Sequence, residues 1–94
     1  MTIEKCVYII LGTRPEAIKL APVIKVFQNA TGIKSKVILT GQHREMVEQV
    51  MQLFDIRADN DLEIMQPKQS LSDITIRSLR GLETLFQEEK PDLV

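Results

Sequence analysis

Two short apolar runs stand out in the first half of the chain. Residues 6–11 (Cys-Val-Tyr-Ile-Ile-Leu) are continuously apolar and rich in β-branched side chains, and Gly12 follows them directly. Residues 37–40 form a second run, which ends at Gly41. Uninterrupted apolar runs of this length, followed by glycine, predict strands that are buried on both faces, as in a parallel sheet.

A segment with helical spacing follows each run. The first begins with the capping pattern Thr13-x-x-Glu16 and contains Pro22, which we expect to bend the helix. Gly32 is predicted as its left-handed cap. The second begins near His43. The predicted apolar stripe of the first is Ile18, Leu20, Ala21, Val23, Ile24, Val26 and Phe27, and that of the second is Met46, Val47, Val50, Leu53 and Phe54.

A third helix is predicted from Ser70, which forms a capping pattern with Asp73. Gly81 lies inside it, where a missing side chain would allow another helix to approach closely. Residues 62–65 are predicted as a short extended segment, and residues 93–94 as the start of one more strand. The predicted apolar face of the third helix is Leu71, Ile74, Leu79, Leu82, Leu85 and Phe86.

The alternation of strands and helices predicts one α/β domain with a Rossmann-like parallel sheet and flanking helices. The chain stops where the next buried strand should begin. We therefore expect residues 1–94 to be a partial domain of a longer protein, and the alternative is a complete small α/β unit with a short edge strand at its end.

Composition narrows the class of protein. The 94 residues are 44% hydrophobic and 27% charged, with a net charge of -1, which is typical of a globular chain and argues against a nucleic-acid partner. The single cysteine, Cys6, cannot form an intrachain disulfide, as expected in a reducing compartment. No signal peptide or membrane-spanning run is evident, so we expect a cytoplasmic protein without a membrane partner.

The end of the first predicted strand is a candidate anion site. Gly12 permits close approach of a ligand, the following helix start offers free N–H groups, and Arg14 can bind a phosphate with two hydrogen bonds. Lys19 could return to the same pocket. The alternative interpretation is that Thr13 and Glu16 only cap a helix and that Arg14 is solvated. The segment matches neither a dinucleotide fingerprint nor a P-loop.

The second strand end carries Gln42, His43, Arg44 and Glu45, which could line a ligand cleft. His43 is the only histidine, and a histidine near a helix start is more often a packing or hydrogen-bonding residue than a catalyst. No metal site is indicated, because no second histidine or cysteine lies at ligand spacing. No Ser-His-Asp set can be assembled.

Three blocks of sequence resemble the bacterial non-hydrolysing UDP-N-acetylglucosamine 2-epimerases. They are residues 12–22 (Gly-Thr-Arg-Pro-Glu-Ala-Ile-Lys-Leu-Ala-Pro), 40–46 (Thr-Gly-Gln-His-Arg-Glu-Met) and 61–65 (Asp-Leu-Glu-Ile-Met). The resemblance implies the first part of the amino-terminal domain of a two-domain enzyme like the GT-B glycosyltransferases. It also implies conversion of UDP-N-acetylglucosamine to UDP-N-acetylmannosamine by elimination and re-addition of UDP, with no metal or nicotinamide cofactor.

The resemblance also assigns residues. Arg14 and Lys19, with Gly12 and Thr13 of the same turn, correspond to the part that contacts the UDP-sugar. The residues that fall where bacterial members bind a second, activating UDP-N-acetylglucosamine are Gln42, His43, Glu45 and Lys68. The catalytic carboxylates and histidine of the family lie beyond residue 94, so the resemblance implies no catalytic residue in this chain and no activity of it alone. A homodimer is expected.

Three other functions remain open at this point. A hydrolysing epimerase, which releases free N-acetylmannosamine, shares the early motifs. A non-catalytic module could bind a UDP-sugar without converting it. An interaction protein could associate through an open sheet edge and exposed apolar helix faces.

Overall fold

A computed structural model describes residues 4–94 as a parallel sheet with helices on both faces. The strands follow one another in the sheet in the order β1, β2, β3. This confirms the predicted α/β class. The elements in chain order are β1 (Lys5–Leu11), α1 (Arg14–Asn29), β2 (Ile33–Leu39), α2 (Arg44–Leu53), β3 (Asn60–Asp61) and α3 (Leu71–Glu88).

The two long strands run side by side along their whole length. Their register begins with Lys5 opposite Ile33 and ends with Leu11 opposite Leu39. Both strands therefore finish at the same level, and the loops that follow them emerge next to each other. On the other edge of β1, Leu93 forms a single parallel bridge with Val7, at the position where the sequence predicts the start of one more strand.

Both faces of β1 are covered, which explains its continuous apolar sequence. Alternate residues of β1 point to the α1–α2 face (Val7, Ile9, Leu11) and to the α3 face (Cys6, Tyr8). The first face forms the larger core. The second is thinner, because no residue of α3 is fully buried and only Leu82, Leu85 and Phe86 of that helix pack against the strand residues.

The predicted apolar stripes were too broad. In α2 the buried residues are Val47, Val50 and Met51, whereas Met46 and Leu53 are exposed. Phe54 lies at the end of the helix and is also exposed. A helix of this length turns only a narrow stripe toward the sheet, and residues three or four positions apart occupy it. The same reason leaves Ile18, Val23 and Val26 of α1 in contact with solvent. Leu71 and Leu79 of α3 are also exposed, in a helix that has no fully buried residue.

The third strand lies earlier than predicted. Asn60–Asp61 pairs with Ile38 and Leu39, and the predicted segment 62–65 continues beside β2 only through single backbone hydrogen bonds from Leu62 and Ile64. Glu63 interrupts the ladder with a left-handed φ of 52°. The side chain of Leu62 then packs against Gly81 of α3.

The predicted helix caps and helix glycines are partly confirmed by the structure. Ser70 and Asp73 form the predicted reciprocal capping box of α3. Gly81 admits the Leu62 side chain, whose atoms lie 3.0–3.4 Å from where a Cβ would be, rather than another helix. Gly32 is left-handed as predicted, with φ of 80°, although α1 ends earlier, at an extended Ala30. The helix continues through Pro22. Within residues 4–94, no helix is long and apolar enough to cross a membrane.

Candidate functional site

The loops after β1 and β2 meet around Gly12. Gly12 is buried, and Thr40 donates its backbone N–H to the Leu11 carbonyl at 3.0 Å, which joins the two strand ends. Three side-chain oxygens, from Thr40, Gln42 and Glu16, lie 3.4–3.5 Å from the position that a Cβ on Gly12 would occupy. The structure therefore brings the two predicted site segments together, as expected for adjacent parallel strands.

Glu16 closes the first of these loops. One carboxylate oxygen accepts the Thr13 hydroxyl proton at 2.8 Å, and the other accepts the Gly12 N–H at 3.3 Å. Thr13 occupies the N-cap position but its side chain accepts no capping hydrogen bond. The predicted capping box is therefore wrong in its details, because the threonine hydroxyl donates to the glutamate side chain instead of accepting from its backbone.

The start of α1 keeps donors available to a ligand. Ala17 donates to the Thr13 carbonyl, but among residues 4–94 no hydrogen bond engages the backbone N–H groups of Thr13, Arg14 or Glu16. The side chains of Arg14 and Lys19 are exposed and form none of the ion pairs within the described part of the chain. Free N–H groups and unpaired cations at a helix start are the features that bind anions.

The second loop is held by Arg44 and Asp61. Gly41 has a left-handed φ of 91°, and a Cβ there would lie 2.9 Å from Asp61 Oδ1. Arg44 Nε is 3.3 Å from both Asp61 Oδ2 and Glu48 Oε1. The hydrogen bond to Glu48, and then the charge of Asp61, raise the pKa of Arg44 above its ordinary value. Arg44 is thus committed to protein carboxylates rather than to a ligand.

The remaining predicted residues differ in how they are exposed and hydrogen-bonded. Gln42 is half-buried, beside Gly12, and its N–H is 3.3 Å from the Thr40 hydroxyl. His43 occupies the N-cap position of α2 without a side-chain capping bond, and Glu45 is exposed in the first turn. Lys68 lies in an exposed turn before α3 with φ of 61°, and in residues 4–94 no hydrogen bond or ion pair joins it to Gln42 or Glu45.

Two residues of this site were missed by the sequence analysis. Thr40 ends the second predicted strand and Asp61 directly precedes the predicted extended segment 62–65, and both lie in the blocks that resemble the epimerases, but neither is predicted as a site residue. A polar residue at the carboxyl end of each parallel strand was the signal that could have identified both.

Two other features bear on where a ligand or metal could bind. Within residues 4–94, no group of three histidine, cysteine or acidic side chains is arranged to hold a metal ion. A polar cleft of about 440 Å³ lies between α1, β2 and the loop before β3, lined by Gln28, Ser35, Val37, Asp55, Arg57 and Asp59. None of the predicted site residues lines this cleft, so the candidate site remains the pair of loops at the strand ends.

Comparison with known proteins identifies the family. The family model described as UDP-N-acetylglucosamine 2-epimerase matches residues 25–94. The chain belongs to this family. The UDP-N-acetylglucosamine 2-epimerase of Neisseria meningitidis is 53% identical over 85 residues, which are 90% of this chain and 23% of that protein. The Escherichia coli UDP-N-acetylglucosamine 2-epimerase is 51% identical over the same share of each chain.

Solved structures of epimerases have the same fold. The Neisseria meningitidis UDP-GlcNAc 2-epimerase, in a crystal structure bound to UDP-GlcNAc, superposes with a TM-score of 0.85 at 50% identity, over 94% of this chain and 24% of that one. The Staphylococcus aureus MnaA–UDP co-structure superposes with a TM-score of 0.84 at 41% identity, over 95% of this chain and 23% of that one. The chain thus spans about a quarter of the length of these two proteins.

Proposed function

We propose that this chain is the amino-terminal part of a bacterial non-hydrolysing UDP-N-acetylglucosamine 2-epimerase. It would form the first portion of a Rossmann-like domain in a two-domain, GT-B-like enzyme. The observation that carries the proposal is the 50% identity and TM-score of 0.85 to an epimerase solved with UDP-GlcNAc bound, across 94% of the chain. A relationship that close supports a common ligand as well as a common fold.

The proposed reaction inverts the sugar at C2. A base removes the C2 proton, the bond from C1 to the UDP oxygen breaks, and UDP leaves an unsaturated sugar. UDP then adds back to C1 and a proton returns to the opposite face of C2, giving UDP-N-acetylmannosamine. The step that this chain would assist is the departure of the diphosphate, whose growing negative charge Arg14 and Lys19 can stabilise.

Two groups of residues would divide the binding. Gly12, Thr13, Arg14 and Lys19 would contact the UDP-sugar, which agrees with the free N–H groups and unpaired cations at the start of α1. The loop after β2 would contact the second, activating UDP-N-acetylglucosamine. The residues proposed to contact this second ligand are Gln42, His43 and Glu45, together with Lys68 from the turn before α3. Gln42 lies directly beside Gly12.

We also propose a cytoplasmic homodimer as the working form. Support comes from α3, where Leu71, Ile76 and Leu79 are exposed. Apolar side chains grouped on one helix are a common sign of a protein interface. Light scattering at increasing protein concentration is the test, and a clean monomer throughout would exclude self-association of this chain.

Titration of the 94-residue chain with UDP tests the binding proposal. Loss of a charge-assisted phosphate contact in Arg14→Ala should weaken binding by about 1.5–3 kcal/mol. Arg80→Ala is the matched control, because Arg80 is exposed on α3, on the opposite face of the sheet from α1. Equal affinity of the two variants for UDP would show that Arg14 is solvated at the start of a capped helix and does not bind the phosphate.

A chimaera tests the catalytic proposal. The chain should show no turnover of UDP-N-acetylglucosamine alone, because it supplies no catalytic residue. Grafted in place of the matching quarter of the Neisseria meningitidis enzyme, it should restore formation of UDP-N-acetylmannosamine, and Arg14→Ala in the graft should reduce that activity. Turnover by the isolated chain would contradict the proposed division of the site.

A further inference from the structure

The start of α1 is already occupied by a carboxylate of the protein itself. The Glu16 carboxylate accepts hydrogen bonds from the Gly12 N–H and from the Thr13 hydroxyl. Among residues 4–94, no lysine or arginine nitrogen forms an ion pair with it. Its charge is therefore balanced by an N–H group, a hydroxyl and the helix dipole instead of a cation.

This arrangement limits where a phosphate can bind. A hydroxyl has a single proton to donate, so the Thr13 hydroxyl and the Gly12 N–H cannot serve a phosphate while Glu16 holds them. A phosphate that approaches these two donors also meets a like charge, which repels it. The free N–H groups of Thr13, Arg14 and Glu16 belong to the same turn as the carboxylate.

We propose that Glu16 is a specificity-determining residue, whose carboxylate a ligand diphosphate displaces from Gly12 and Thr13. The inference rests on the proposed function, because it concerns the same UDP-binding turn. Glu16 is exposed, so its side chain can swing into solvent without disturbing the core. Displacement releases the Gly12 N–H and the Thr13 hydroxyl as donors. Only a ligand group with several acceptor oxygens binds both donors. The Glu16 carboxylate therefore excludes from the turn any anion that binds these donors less strongly than the carboxylate does.

An NMR titration of the isotope-labelled chain tests this. UDP and uridine are added separately to the wild-type protein and to Glu16→Gln, which keeps the size and an acceptor oxygen but removes the charge. We expect the variant to bind UDP roughly three to ten times more tightly, because a nearby like charge is gone, while its response to uridine stays unchanged. Glu83→Gln on α3 is the matched control, since it removes one charge on the opposite face of the sheet and should leave both titrations as in wild type.

The wild-type protein provides a readout that needs no variant. On addition of UDP, the Gly12 amide and the Glu16 carboxyl-carbon resonances should shift together with the same midpoint, while uridine moves neither. Equal or weaker binding of UDP by Glu16→Gln, or a Glu16 carboxyl that does not respond, overturns the inference. Should UDP binding still depend on Arg14, the proposed function survives that result. If neither protein responds to UDP, both the inference and the binding proposal are overturned.

Discussion

Arg44 Nε lies 3.3 Å from Asp61 Oδ2, a buried oxygen that accepts no hydrogen bond within the described chain. The pair joins the first residue of α2 to the last residue of β3. The other oxygen, Oδ1, accepts the Glu63 N–H at 2.9 Å. Together these contacts hold the loop after β2 from outside, so that Gln42 is kept beside Gly12. Arg44, which lies inside the second of the three sequence blocks that resemble the epimerases, therefore has a structural task.

Removal of Arg44 should cost stability. In Arg44→Ala, the buried Oδ2 of Asp61 loses its counter-charge, and we expect a small but measurable fall in the free energy of unfolding, because water screens the half-exposed arginine. Urea denaturation measures this. Glu48→Gln is the control, because its exposed pair with Arg44 lies one turn apart on the same helix and should contribute less than about 0.5 kcal/mol. Equal losses in the two variants would show that the Asp61 contact adds nothing.

Gly41→Ala should be more damaging than Gly12→Ala. Gly41 has φ of 91°, and a Cβ there would meet Asp61 Oδ1 at 2.9 Å and Glu63 Cα at 3.0 Å. A strained φ and a backbone contact that cannot move aside predict a loss of about 1–3 kcal/mol. At Gly12 the nearest atoms are side-chain oxygens at 3.4–3.5 Å, an ordinary contact distance. Thermal unfolding of both variants decides the order, and the reverse order would contradict the described loop geometry.

Ser70→Ala should weaken the start of α3. The Ser70 hydroxyl oxygen accepts the Asp73 N–H at 3.1 Å, and loss of such a cap typically costs about 1 kcal/mol. Ser72→Ala is matched in chemistry, since Ser72 lies in the same first turn, exposed, without a capping role. It should leave the unfolding midpoint in urea unchanged. If the two alanine variants unfolded alike, the capping box would not contribute to stability.

Acid should unfold the protein partly through Glu89. Hydrogen bonds from Lys36, and then from Lys34, lower the pKa of Glu89 below its ordinary value of 4.5. A carboxylate with a lowered pKa in the folded state stabilises the protein above its unfolded pKa, and this contribution is lost as the pH falls through the folded pKa. We therefore expect the free energy of unfolding to decrease below about pH 4.5.

Urea unfolding at a series of acidic pH values checks this, with Glu89→Gln as the variant. The decrease should be shallower in Glu89→Gln but not absent, because hydrogen bonds from Ser70 also lower the pKa of Asp73. Glu88→Gln is the neighbouring control, and it should keep the wild-type slope because Glu88 forms no ion pair in residues 4–94. If the free energy of unfolding of Glu89→Gln fell with pH as steeply as that of the wild-type protein, the ion pairs of Glu89 with Lys34 and Lys36 would not be the cause of the decrease.

The sequence predicted the features that depend on neighbours along the chain. The apolar run before Gly12 identified β1, and the capping pair Ser70 and Asp73 identified the start of α3, because strand burial and helix capping act within a few residues. Parallel alternation then placed the residues after both strands at one edge of the sheet. For these reasons Gly12 and Gln42 could be placed at the same edge of the sheet before their contact was known, although the family resemblance assigned them to two ligands.

Contacts between distant segments could not be predicted in this way. The short strand Asn60–Asp61 is polar, and only its pairing with β2 makes it a strand. The apolar side chain of Leu62 packs against Gly81, a contact between residues that are far apart in the sequence. Which side of α2 is buried depends on the surface it meets, so Met51 was missed and Met46 was wrongly included.

The sequence by itself determined the class of fold, the two strand ends that carry the candidate site, and the family resemblance that comparison with known proteins then confirmed. Only the tertiary structure decided how the polar groups of that site are paired. It joined Glu16 to Gly12 and Thr13, and Arg44 to Asp61. The physical reason is that a local pattern records whether a segment is buried, whereas a charge or hydrogen-bond partner depends on which side chains the folded backbone brings within about 3 Å.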